Sequence, residues 1–189
     1  MYNIFLTNEI QSICIGELFD KNHEIDRLVK KDNCEILNLI DLNIGVRTIG
    51  NKFVRILFVS RHKTKKHLVK IILTNGQSVI TTTDHVIMRY NDERMLESVS
   101  AKHLQIYDYV QIFIGEKEMF GHVGNMTDLG ETEDWVYDIE VDDPQHVFYA
   151  NNILIHNSQF LNIQCITQLF KKKYNLPEKI NDWSDEWKL

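Results

Sequence analysis

From Cys34 onward the chain is dominated by short β-patterned runs. CEILNLI, KFVRILFVS, HLVKIILT, QSVITTT and VQIFI follow one another between residues 34 and 114, and WVYDIEV, HVFYA and NILIH come later. Apolar runs of this length are strand-sized, and many of them in series restrict the chain to a mainly β class. Only 8 Gly and 2 Pro occur in 189 residues, so Asn and Asp must make many of the turns. Asn75-Gly76 lies between HLVKIILT and QSVITTT. That pair favours a two-residue hairpin loop in which both central residues take positive φ. Residues 115–134 hold four Gly and no clear period, and read as a surface loop. In WVYDIEV, Tyr137, Ile139 and Val141 alternate with Asp138, Glu140 and Asp142, which predicts one buried and one exposed face.

Two segments break the β pattern. Over residues 15–30, Ile15, Leu18 and Phe19 recur at helical spacing and predict a short helix. Beyond residue 158, Ile163, Ile166, Leu169 and Phe170 do the same, and Lys171-Lys172-Lys173 follows at the favourable end of the helix dipole. This change of character places a boundary at Asn157/Ser158, between a β-rich domain (1–157) and a short helical tail (158–189).

Composition narrows the function classes. The hydrophobic fraction of 43% suffices for a core, and a net charge of −6 supplies no global field toward nucleic acid or an anionic membrane. No apolar run approaches the roughly 20 residues of a membrane span, and the N-terminus has no basic region leading into an apolar one. Cys14, Cys34 and Cys165 are odd in number and widely spaced, which fits a reducing, cytoplasmic setting rather than a disulfide framework. No CxxC or HExxH occurs, so neither a metal nor another cofactor is expected. RHKTKKHLVKI (61–71) carries five Lys/Arg and reads as a solvated hairpin end; the competing reading is a nucleic-acid contact.

The run Ile153-Leu154-Ile155 passes directly into His156, Asn157 and Ser158. An Asn carboxamide can attack its own main-chain carbonyl, closing a succinimide and cutting the chain after itself. A neighbouring His can donate a hydrogen bond to that carbonyl or a proton to the leaving amine. A hydroxyl on the following residue can first capture an upstream acyl group. The tripeptide alone is equally a strand end leading into a helix N-cap. Thr82-Thr83-Asp84-His85, a few residues beyond Asn75-Gly76, is by itself equally an exposed strand end.

Taken in order, these residues resemble an intein, the self-splicing domain with the HINT fold. The family's C-terminal motif is matched by Tyr137-Asp138-Ile139-Glu140-Val141, then His146-Val147-Phe148-Tyr149-Ala150-Asn151, then Ile153-Leu154-Ile155-His156-Asn157, with the gap between Val141 and His146 longer by one residue than the family's. Its Thr-x-x-His motif is matched by Thr82 and His85. The resemblance implies a horseshoe-like, mainly β HINT fold with one or two short helices. It implies autocatalytic, single-turnover splicing without a cofactor. Thr82 and His85 would act at the N-terminal splice site, Asp138 and His146 would support acyl transfer, His156 and Asn157 would carry out cyclisation, and Ser158 would be the acceptor. For Asp138 the alternative is a strand residue paired with a Lys, and for His146 a partly buried, hydrogen-bonded His.

An intein opens on Cys or Ser. Here Asn3-Ile4-Phe5-Leu6-Thr7 resembles the strand that follows this nucleophile, and Ile15-Gly16-Glu17-Leu18-Phe19 the segment after the next turn. Met1 is a thioether and cannot serve; Cys14 lies too far along and is expected to pack. The expectation is therefore a mini-intein whose nucleophile arrives on a short N-terminal fragment from another chain, or else a truncated frame. The roughly fifty residues between His85 and Tyr137 are too few for a nuclease domain. SQFLNIQCITQLFKKK resembles the segment after the Gly-Asp-Thr-Asp-Ser motif of family B DNA polymerases, which makes 158–189 a host fragment and the only expected link to nucleic acid. The alternatives are a non-catalytic β-rich binding or structural module, and a nucleic-acid-binding polymerase fragment.

Overall fold

The structure, a computed structural model, describes residues 3–6, 11–24, 26–31, 33–63 and 65–157. The expected helical tail and Ser158 lie outside these residues. The strands run β1 Asn3–Leu6, β2 Gln11–Cys14, β3 Leu28–Lys31, β4 Cys34–Asn38, β5 Gly45–Thr48, β6 Lys52–Lys63, β7 Lys66–Leu73, β8 Ser78–Thr82, β9 Val86–Tyr90, β10 Leu96–Ser100, β11 Tyr109–Ile114, β12 Lys117–Thr132, β13 Trp135–Val141, β14 Val147–Ala150 and β15 Ile153–His156. Among the described residues one α-helix, α1, spans Ile15–Lys21 between β2 and β3.

The strands form two sheets. One has the order β2-β1-β5-β6-β4-β3, with β13 also on β6; the other has the order β10-β9-β15-β11-β12-β7-β8, with β14 on β15. Two long strands hold this arrangement together. β6 pairs with β5 through Lys52–Arg55 and with β13 through Ile56–Lys63. β12 pairs with β11 through Lys117–His122 and with β7 through Val123–Thr132. Two of the links between the sheets, β6 to β7 and β12 to β13, lie side by side, because Lys63 is paired with Trp135 before the crossing and Lys66 with Thr132 after it.

Several elements correct the sequence reading. The 115–134 segment is not a loop. It contains the sixteen-residue strand β12, whose backbone donors and acceptors are used by β11 and β7, so it needs little apolar patterning of its own. Gly121 sits where the partner changes, and a Cβ there would lie 2.9 Å from Ile112 Cγ2 and 3.0 Å from Leu73 Cδ1. RHKTKKH is not a hairpin end either, since β6 and β7 join different sheets. Arg61 stacks over Phe19 and Trp135 and bonds Glu35, while Lys65 and Lys66 pair with Glu133 and Asp84. Asn75-Gly76 does turn the chain, but through a three-residue loop. The Gly76 N–H donates to Leu73 O, and of the pair only Gly76 takes positive φ (+87°). The short helix expected within residues 15–30 is present as Ile15–Lys21, with Ile15, Leu18 and Phe19 buried.

The C-terminal hairpin runs through the interior. Every residue of β14 and the first three of β15 are buried. Alternate side chains enter different clusters: Phe148, Ala150, Ile153 and Ile155 join the main core, while Val147, Tyr149 and Leu154 pack with Met88 and Phe113. This two-sided burial explains why the run is continuously apolar. Each large apolar side chain so buried contributes roughly 1.5–3 kcal/mol, and the hairpin's position is fixed accordingly.

Candidate functional site

The hairpin turns at Asn151-Asn152, both at positive φ (49° and 64°), between the paired Ala150 and Ile153. This is the two-residue geometry whose twist matches the strands. The Asn151 Nδ2 donates to Ser78 O at 3.0 Å and the Asn152 carbonyl accepts from Phe113 N–H at 2.9 Å, which pins the turn to its neighbours. At the other end, Thr48 Oγ1 donates to Val147 O at 2.7 Å. Val147 faces His156 in the ladder, and one step further the Asn157 N–H donates to His146 O at 2.8 Å. A rigid strand thus delivers His156 and Asn157 to a fixed position, and Asn157 is only 3% exposed.

Around Asn157 the contacts are chemically directed. His156 Nδ1 lies 2.6 Å from the Asn157 carbonyl oxygen, so Nδ1 carries the proton and donates it to that oxygen. The Asn157 carboxamide Nδ2 donates to Glu140 Oε2 at 2.7 Å. The other oxygen of the same carboxylate lies 3.0 Å from His146 Nδ1. His146 holds a left-handed backbone (φ 52°), and its ring centroid is 6.2 Å from that of His156. Burial raises the Glu140 pKa above the ordinary carboxylate value, and the His146 and His156 charges act against that rise.

Thr82 and His85 lie at the connection from β8 to β9, and β9 is a neighbour of β15. Thr82 ends β8, and its carbonyl accepts the His85 N–H at 3.0 Å, which closes a tight turn. Its hydroxyl serves the Asp84 carboxylate, whose pKa is lowered by the hydrogen bonds from Lys66 and Thr82 although burial opposes this. The His85 carbonyl accepts from Ala101 N–H at 2.7 Å. Burial pushes the His85 pKa down to about 4, so its imidazole is neutral at pH 7; the nearby His156 adds to the shift. The register explains this proximity. β9 and β15 are antiparallel with Ile87 opposite Ile155, so one further step brings Val86 opposite His156.

Four of the expected residues, His85, His146, His156 and Asn157, therefore gather at the β9–β15 end, with Thr82 at the start of the same turn. Asp138 lies on β13, opposite Ser60 of β6. It is buried, not exposed as the alternation predicted, and its Oδ1 accepts the Ile139 N–H at 2.9 Å. Both faces of β13 are covered here, which erases the inside/outside contrast that alternation relies on. The alternation in WVYDIEV marks Glu140 only as an exposed-face residue. Its position two residues from Asp138, hence on the same strand face, was the available signal.

Solved structures match this fold. The PabCDC21-1 intein superposes with a TM-score of 0.72 at 18% identity, covering 83% of this chain and 95% of that one. The TvoVMA intein gives a TM-score of 0.73 at 20% identity, covering 83% and 95%. The KlbA intein precursor from Methanococcus jannaschii gives 0.70 at 22% identity, covering 85% and 91%. The chain has the intein fold. No family model and no curated relative matches the sequence. The intein fold accounts for the two-sheet β architecture and for a core-embedded C-terminal strand. At these identities it speaks to fold, and the chemistry must be argued from the residues.

Proposed function

We propose that the domain is an autocatalytic protein-splicing element that breaks the bond after Asn157. The observation that carries this reading is the clamp on Asn157. One imidazole N–H is placed on its main-chain carbonyl oxygen, and a carboxylate is placed on its side-chain nitrogen. Cyclisation needs its nucleophile and its electrophilic carbon in the same residue held in a fixed geometry, and it needs charge stabilised at the oxygen. His156 meets the second requirement, and burial of the hairpin meets the first. Ser158 would capture the upstream acyl group before Asn157 releases it. Thr82 and neutral His85 are suited to polarising the first scissile amide, with Asp138 supporting acyl transfer. The finer reading is that the attacking thiol or hydroxyl of the first step is supplied by a short segment on another chain, and that residues 158–189 are host sequence, of family B polymerase type.

Incubation at neutral pH, followed by intact-mass measurement, tests the core of this. Release of the 158–189 peptide is expected, and Asn157→Ala is expected to abolish it. An intact mass for the folded wild-type protein after prolonged incubation overturns the reading. For the finer part, a synthetic peptide carrying an acyl segment, a Ser or Cys and a few further residues should be ligated to Ser158.

A further inference from the structure

We infer that Glu140 is the general base for Asn157 cyclisation, and that His146 is a positioning residue acting through Glu140. The inference rests on the splicing reading above and assigns a role to a residue outside the motif positions to which that reading gives chemistry. Glu140 Oε2 is 2.7 Å from Asn157 Nδ2, the atom that must lose a proton as it attacks, and no other acceptor for that nitrogen is found among the described residues. The Glu140 side chain is only 16% exposed, so water competes poorly for it. His146 Nδ1 donates to Oε1 at 3.0 Å and leaves Oε2 directed at the amide.

The step balances with these groups alone. The Asn157 Nδ2 lone pair forms a bond to the Asn157 carbonyl carbon, and one Nδ2 proton passes to the Glu140 carboxylate. The carbonyl π electrons move to the oxygen, which the His156 Nδ1–H holds. When they return, the bond from that carbon to the Ser158 nitrogen breaks. The departing amine takes up one proton, and Glu140 loses the one it gained, so no proton is consumed overall. The products are a C-terminal succinimide and a free amine on Ser158. A carboxylate raised above its ordinary pKa by burial is a better base than an exposed one.

Among the described residues the charges acting on Glu140 are those of His146 and His156, so both must be separated from it in the test. Release of the 158–189 peptide is followed by mass from pH 4.5 to 8.5 for the wild type and for Glu140→Gln, which keeps an acceptor for Asn157 Nδ2 but no base. The expected result is a loss of about a hundredfold or more in rate, with the acidic limb of the wild-type pH profile gone. In parallel, the Asn157 side-chain amide signals are titrated by NMR, with the His146 and His156 ring signals as internal references. A midpoint distinct from both His values should be present in the wild type and absent in Glu140→Gln. Equal rates and equal pH profiles overturn the proposal while leaving the splicing reading intact. A missing carboxylate midpoint at Asn157 also overturns it, even in protein that has not been cleaved. A wild type that never releases the peptide sinks the splicing reading itself, and this proposal with it.

Discussion

His156 reaches forward by one residue: its Nδ1 lies 2.6 Å from the carbonyl oxygen of Asn157, the residue it precedes in the chain. The ring is carried on a strand whose three preceding residues are buried, so the contact is held by packing and needs no rearrangement at the moment of reaction. Removing a preorganised donor at a developing oxyanion costs about 10²-fold or more in rate. His156→Ala should slow release of the 158–189 peptide by about that factor, measured by mass at neutral pH. His156→Asn, which can place an N–H near the same oxygen, should recover part of the loss.

Protonation of His85 should be visible in stability. Its folded pKa lies near 4, below the 6.5 of an exposed imidazole, because burial disfavours the cation. As pH falls below 6.5, the unfolded chain therefore takes up the proton first. The stabilisation due to a neutral His85 is complete above pH 6.5 and is lost as pH falls toward 4. Its ceiling is about 3 kcal/mol. Urea midpoints should drop between pH 7 and pH 4.5 in the wild type, and drop less in His85→Gln.

Strand identities were legible wherever one chain segment supplied its own pattern. HLVKIILT, QSVITTT and VQIFI became β7, β8 and β11, and Asn3–Leu6 became β1. The pattern failed where a neighbour supplied the cohesion. β12 reads KEMFGHVGNMTDLGET, which is mostly polar, and it is a strand because β11 and β7 occupy its edges. Asp138 failed for a related reason, since coverage of both β13 faces buries it. Of the site, the ordered motif made Thr82, His85, His146, His156 and Asn157 legible, whereas Glu140 was not, because an acid in an alternating strand looks like solvent exposure until its partners are known.

The close approach at Gly121 predicts a cost for the smallest side chain. Ile112 is β-branched and stiff, and Leu73 belongs to the main core, so neither can yield freely to a Cβ at 2.9–3.0 Å. Gly121→Ala should destabilise the fold by about 1–3 kcal/mol, read as a lower urea midpoint with an unchanged slope. Gly115→Ala provides a comparison: nothing lies within 4 Å of its Cβ position, so only the strain of its positive φ (56°) remains.

The Asn151-Asn152 turn connects register to chemistry. It joins Ala150 to Ile153, and that pairing places Val147 opposite His156 and His146 next to Asn157. Asn152 sits at φ 64°, a conformation that Asn tolerates and Ala does not, whereas Gly adopts it without a Cβ clash. Asn152→Ala should cost about 1–2 kcal/mol, and Asn152→Gly should be near neutral or stabilising, because Asn-Gly is the preferred pair for this turn. The backbone carbonyl that accepts from Phe113 is present in both variants, so the difference isolates the turn conformation. If register is what holds Asn157 against Glu140, Asn152→Ala should slow peptide release as well as lower the urea midpoint, and Asn152→Gly should do neither. Wild-type release from a measurably destabilised Asn152→Ala would mean that β9 and β11 alone hold β15 in place.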